Sequence, residues 1–418
     1  MPPQSLIQKI FAKAAEKEEV EENEIIFASP HMILSHDNSA AISKTFYEIV
    51  GPNGKVWNPD RIFIALDHAV PPPDSKKAEN HKIIREFVKI QKIKHFYDAG
   101  TGICHQVLPE KGLVPPNVII LGSDSHTTTH GAFGAAGIPI GRTETASVWA
   151  IGETYLKVPE TIKVTFDNYL LKGVYAKDII LHIIGKISAD GATYKSMEFY
   201  GKSIERLTIG DRMTISNMTA EAGAKAGIFP VDRITMEWNH QFNFEYTKMV
   251  ADEDVAYEQE IVIDLAELNP QIAQPHNVDN VVPIENLPHV TIDTALIGTC
   301  TNGRLEDLRI AAEILRDKQI NQHVRLLIYP ASRDILMKAT QEGLIEIFIA
   351  AGGQIGVPAC GPCLGEYGGC LAPGETAIST ANRNFKGRMG TREAEIYLAN
   401  PEVVAKSALA GYITNEEI

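Results

Sequence analysis

Cys360-Gly361-Pro362-Cys363 carries the most evident chemistry in the sequence, since two thiols at this spacing can close a redox disulfide or reach one metal cluster. A thioredoxin-type dithiol follows a strand and an aromatic residue in a small domain. Here GGQIGVPA precedes the pair in a chain of 418 residues, which favours the cluster. Four protein ligands would saturate a cluster and suit it to electron transfer, whereas three would leave one iron open as a Lewis acid for a hydroxyl and a carboxylate. Further sulfurs are Cys300, Cys104 and Cys370. Cys300 ranks first, because GTCTNGR places it at a helix start in a glycine-bracketed turn, a setting that favours thiolate. Cys104 and Cys370 read as small core residues, the usual fate of free cysteine.

Polar clusters directly after apolar runs form a second set. Asp67 and His68 follow RIFIAL, Cys104 and His105 lie in TGICHQVLPE, and Asp124, Ser125 and His126 follow NVIILG. A carboxylate beside a histidine fixes the ring tautomer and favours its protonated form, which suits acid/base work; a lone pair of this kind is more often a hydrogen-bonded turn. Three such sites together with a cysteine weaken the structural reading. SNMTAEAGAKAG (216–227) reads as a helix ended by Gly227, with Asn217 and Glu221 on one face that could equally be solvated. NRNFKGRMG concentrates Arg383, Lys386 and Arg388, and arginine forks bind carboxylates, although an exposed basic loop would look the same.

The elements that must position these groups alternate strand and helix, the pattern of parallel α/β sheets. RIFIAL (61–66), NVIILG (117–122), TALIG (294–298) and RLLIYP (325–330) read as strands. Residues 79–94 form a covering helix with Ile83, Ile84, Phe87, Val88 and Gln91 on its inner face. Ser332 caps the helix in SRDILMKATQEG. In such sheets ligands bind beyond the carboxyl ends of strands, where these clusters fall. A fresh strand begins near Pro159, and the proline-rich stretch 264–290 reads as a connector. The expected domains are 1–158, 159–288 and 289–418.

Composition narrows the function classes. With 44% hydrophobic and 22% charged residues the chain reads as an ordinary globular protein of two or three domains. Thirty-nine basic against 53 acidic residues give a net charge of −14, which argues against nucleic acid as the main partner. Five cysteines are too few for a disulfide framework and point to a reducing compartment. No apolar run reaches the roughly eighteen residues of a membrane span, and the glutamate-rich stretch after the first fifteen residues is the wrong charge for a targeting signal. The expected location is the cytoplasm.

LGSDSHTTTHGAFG, GTCTNGRLEDLR, CGPCLG and NRNFKGRMG, in this order, resemble the aconitase superfamily, and the resemblance runs from SHDNSAA to SALAGYITN. It implies three α/β domains with mostly parallel sheets around a central 4Fe-4S cluster, without the swivelling fourth domain. The cluster would be held by Cys300, Cys360 and Cys363, with the fourth iron open. Asp67 and His68 match the acid pair that protonates the departing hydroxyl. His105 with Asp124, and His126 with Glu221, match the groups around the iron-bound water, and Ser125 shares their loop. His36, Asn217, Asn382, Arg383 and Arg388 match positions that contact substrate or cluster. The implied hydro-lyase reaction is the isomerisation of 2- and 3-isopropylmalate in leucine biosynthesis; homoaconitate or dimethylmalate-type substrates are alternatives. The serine base and further substrate arginines of single-chain relatives would come from a separate small subunit, in a heterodimer or heterotetramer. An iron-sulfur regulatory protein that binds RNA is the alternative from another class, and the acidic balance opposes it. Local departures are Ala40 in SHDNSAA, Pro139 and Arg142 in GIPIGRTETA, and Glu366 and Cys370 in GEYGGC.

Overall fold

Short runs such as IFIA and IILG are apolar at every position, so they fit strands covered on both faces. In the computed structural model, which describes residues 2–244, 247–365 and 367–418, they are fully buried strands. Glu366 lies outside the described residues. Five strands form an all-parallel sheet in the order His95–Tyr97, Ile62–Ala65, Met32–Ser35, Ile119–Gly122, Ala136–Pro139. The chain leaves Met32–Ser35 toward one edge and later returns to its other side. That makes a topological switch point, and His36, Asp67, His68 and Asp124 leave the carboxyl ends of the strands around it.

A second parallel sheet orders Ala226–Ile228, Ser196–Tyr200, Thr161–Asp167 and Gln259–Asp264. The third has seven strands, with Thr294–Gly298 flanked by Arg325–Tyr329 and Thr376–Ser379 in parallel. This second switch point sends Cys300 from one strand and Asn382 and Arg383 from the next. The proline-rich connector is more structured than expected. Gln271–Ala273 and Val281–Pro283 pair antiparallel with each other, and the first continues onto Glu395–Leu398 at the edge of the third sheet. An edge tolerates proline because one row of N–H groups there has no ladder partner to lose.

Helix boundaries follow their caps. Asp74 accepts the Lys77 N–H and starts Ser75–Gln91 earlier than expected. Its buried face is His81, Ile84, Phe87 and Gln91, so Ile83, expected inside, is 40% exposed. Ser332 caps Arg333–Gln341 as read, accepting the Ile335 N–H at 3.2 Å. Ser332→Ala should therefore weaken this helix by about 1 kcal/mol, read as faster amide hydrogen exchange over Arg333–Gln341 and unchanged exchange in Ser75–Gln91.

The reading of 216–227 as one helix is corrected. The helix Ile209–Met218 tightens into a 3₁₀ turn, Thr219–Ala222, and stops at Gly223, whose φ of +82° is left-handed. Gly227 instead lies in a strand, where a Cβ would stand 2.4 Å from the Thr219 side chain. Among the described residues, no helix is long and apolar enough to cross a membrane.

Candidate active site

Local backbone geometry aims the three ranked cysteines at one place. Gly298 (φ +151°) ends its strand where a Cβ would meet the Tyr329 carbonyl oxygen at 2.5 Å, and Thr299 takes φ +71°, an uncommon value for a β-branched residue. Such strain is worth retaining where it aims a functional side chain, here Cys300. Cys360 caps the 3₁₀ turn Gly361–Leu364 and Cys363 lies within it, and the Cys360 N–H donates to the Asp67 carbonyl at 2.9 Å, tying the first sheet's loop to the third.

All three sulfurs line a cavity of about 130 Å³ together with His36, His68, His105, Asp124, Ser125, His126, Asn382, Arg383 and Arg388. Asp67, Asn217 and Glu221 stand behind this wall. Asn217 touches a sulfur there. Its Nδ2 donates to Cys300 Sγ at 3.2 Å, as does Nδ2 of Asn382, which also donates to Asn217 Oδ1 at 3.1 Å. Asn217 is fully buried and Glu221 nearly so, which rules out the solvated helix face.

Burial, then the neighbouring Cys363 and Asp124, push the Cys300 thiol up to about 12, and burial with nearby Asp67 raises Cys360 as well. A thiol in this setting ionises when a bound cation offsets the cost. Three buried soft donors with amide N–H groups aimed at one sulfur suit a thiophilic metal or cluster. All five cysteines are free thiols. Cys104 is buried as expected, but Cys370 is exposed, with Sγ directed at the Gly365 carbonyl at 3.3 Å, and so is no core residue.

The histidine-carboxylate pairs form one network. Asp67, fully buried, holds His68 Nδ1 at 2.7 Å with one oxygen and accepts the Cys104 N–H at 2.7 Å with the other. Asp124 Oδ1 lies 2.8 Å from His105 Nε2 and accepts the His126 N–H, while its Oδ2 is 3.5 Å from His68 Nε2. His126 Nε2 meets Glu221 Oε1 at 2.8 Å, and Arg383 Nε donates to the same oxygen. Burial alone would strip the proton from His68, but the Asp67 charge and the bonds to both aspartates hold its pKa well above the ordinary value. His36 stacks on His68 with ring centroids 4.0 Å apart and is itself pulled down to about 4, first by burial and then by the His68 charge. The two stacked rings are thus shifted in opposite directions.

Asp37 is a residue that sequence reasoning passed over. Its carboxylate accepts the N–H groups of Asp67, His68 and Ala69 and lies 2.7 Å from His81 Nε2, so it builds the turn that presents the acid pair. The signal was its place directly after His36 at a strand end. His36, Asp37, Asp67 and His68 come close enough to cage a cation, yet both carboxylates are already taken up by these N–H donors. Hydrogen bonding accounts for the group.

The basic loop divides. Lys386 is exposed, while Arg383 and Arg388 turn into the cavity. Arg388 Nε is buried with no hydrogen-bond partner among the described residues, as expected of a group awaiting an anion. A second cavity, of about 720 Å³, adjoins the first through shared walls at His36, His68 and Leu364 and includes Ala40 and Arg142, two of the local departures.

Comparisons with known proteins give the family. The aconitase family (aconitate hydratase) matches residues 8–290 and 285–411. The chain is 44% identical to the 3-isopropylmalate dehydratase large subunit 1 of Methanopyrus kandleri, covering 98% of each, and 46% identical to the corresponding large subunit 1 of Pyrococcus furiosus, covering 99% and 98%. It is 45% identical to the probable methanogen homoaconitase large subunit of Methanothermobacter thermautotrophicus, covering 99% and 98%. Aconitase X of Thermococcus kodakaraensis shares the fold, with a TM-score of 0.52, 16% identity, and coverage of 91% of this chain and 89% of that one. The chain belongs to the aconitase family.

Proposed function

We propose that the chain is the large, cluster-bearing subunit of a hydro-lyase that interconverts 2- and 3-isopropylmalate in leucine biosynthesis. The observation that carries this reading is the convergence of Cys300, Cys360 and Cys363 with the Asp67–His68 pair and Arg388 in one cavity. Its relatives at 44–46% identity bear the corresponding name. The family implies a 4Fe-4S cluster, and three buried thiols fit it, with Asn217 and Asn382 donating to the sulfur of Cys300. When bound, a cluster with three cysteine ligands supplies an open iron that polarises a substrate C–O bond.

This chain's residues do the rest. Arg383 and Arg388 hold carboxylates of the substrate, and the buried walls exclude water. His68 keeps its ring proton because Asp67 and Asp124 face its two nitrogens, and it delivers that proton to the departing hydroxyl. The carbon-bound proton goes to a base on the small subunit, so water and an unsaturated dicarboxylate result; reversing both transfers at the adjacent carbon completes the isomerisation. The pairs His105–Asp124 and His126–Glu221 hold protons beside this path. The partner would be a small subunit, in a heterodimer or heterotetramer, and the free thiols suit the reducing cytoplasm.

A second reading, homoaconitase, is favoured by one observation, the 45% identity to a relative of that name. The test is the iron-loaded complex with a small subunit, assayed on 3-isopropylmalate, homocitrate and dimethylmalate. Isopropylmalate should be turned over with the highest kcat/KM. Turnover of none of these acids would refute the hydro-lyase reading.

A further inference from the structure

Lys177 is a buried cation in an unfavourable position. It is the second residue of the helix Ala176–Ile187, fully buried at the end where the helix dipole is positive. Its carboxylate neighbour in sequence, Asp178, favours the charge but spends its hydrogen bonds elsewhere, accepting the N–H groups of Tyr175 and Gln271 and the side-chain amide of Asn400. Lys177 Nζ instead donates to two backbone carbonyls, of Thr380 at 2.8 Å and Ala381 at 2.5 Å. These carbonyls immediately precede Asn382, which donates to Cys300 Sγ, and Arg383, which holds Glu221.

We propose that Lys177 is a positioning residue for this site: it clamps the turn that presents Asn382 and Arg383, and it places a positive charge behind the sulfurs of Cys300 and Cys363. Burial is the main influence on its ammonium, pulling its pKa down to about 7, while Cys300, Asp307, Cys363 and Asp178 lie close enough that negative charge on them favours its charged form. The arrangement is costly for the helix alone. It becomes favourable when the sulfurs carry negative charge, as they do on binding a cluster. The proposal rests on the cluster reading given above for these cysteines.

Two variants separate the clamp from the charge. Lys177→Met removes both, whereas Lys177→Gln keeps an N–H donor for the carbonyls and removes the charge. Each is assembled with a small subunit, reconstituted anaerobically with iron and sulfide, and compared with wild type by redox titration of the cluster and by kcat and KM for 3-isopropylmalate. Both variants should shift the cluster to a more negative potential, since less positive charge surrounds it. The methionine variant should also lose about tenfold or more in kcat/KM, and the glutamine variant should recover most of that loss without recovering the potential. A folded methionine variant with wild-type potential and kinetics would overturn the proposal, and so would the failure of both variants to fold. If the wild-type chain takes up no iron, the cluster reading itself falls. Hydrogen exchange over residues 380–384 then decides the clamp: faster exchange in Lys177→Met supports it and unchanged exchange overturns it.

Discussion

Asp67→Asn should lower kcat about 10²- to 10⁴-fold at neutral pH, the range lost when a positioned general acid is disabled. Asparagine preserves volume and can still accept the Cys104 N–H, so the fold around the turn survives. What disappears is the negative charge 2.7 Å from His68 Nδ1. That charge works against the effect of burial and, with Asp124, keeps His68 protonated well above the pH at which a free histidine loses its proton. The sign follows directly. Activity that needs protonated His68 persists in the native protein until pH rises through this raised pKa. In the variant the pKa falls, so activity on the alkaline side is lost at lower pH. The measurement is the pH profile of kcat for the iron-loaded complex. An alkaline limb that does not move, or an undiminished rate, would remove His68 from the role of proton donor.

Cys300→Ser should abolish both iron-sulfur absorbance and turnover, whereas Cys370→Ser should leave both intact. A serine oxygen is a hard donor in place of a soft one, and a buried hydroxyl ionises far less readily than the thiol. Cys300 is 7% exposed, is delivered by the strained Thr299 backbone, and receives N–H groups from Asn217 and Asn382. Cys370 has none of this environment and sits at the surface. Iron bound per chain after anaerobic reconstitution is the readout. Loss of iron from Cys370→Ser would show that the ligand set has been misassigned.

Much of this arrangement is legible in the sequence because parallel sheets write their ligand sites in a simple form. An apolar run such as IIL, buried on both faces, is followed at once by the polar residues of the strand's carboxyl end. Asp67, His68, Asp124 and Cys300 all follow this rule, and Ser332 follows the capping rule. Asp37 escaped notice because its role is to bind backbone N–H groups some thirty residues away in sequence, which no local pattern encodes. The depth of Asn217 and Glu221 depends on packing against the segment Ser125–Phe133, far away in sequence, so spacing alone left a solvated face open. The stop at Gly223 was hidden by two glycines in one motif, each plausible as a terminator. The strands of the proline-rich segment are only three residues long and are stabilised by an edge that forms later in the chain. Lys177 gave no signal, since nothing local distinguishes a lysine that crosses to another sheet from one at the surface.

The most direct test is Mössbauer spectroscopy of the chain reconstituted anaerobically with iron-57 and sulfide, before and after adding 3-isopropylmalate to the complex with its small subunit. Three cysteine ligands around four irons leave one iron without a protein thiolate, so one quarter of the iron signal should change its parameters on binding substrate while the rest stays fixed. A spectrum that substrate leaves untouched would contradict the open-iron site at Cys300, Cys360 and Cys363. So would a colourless protein with a Cys360–Cys363 disulfide.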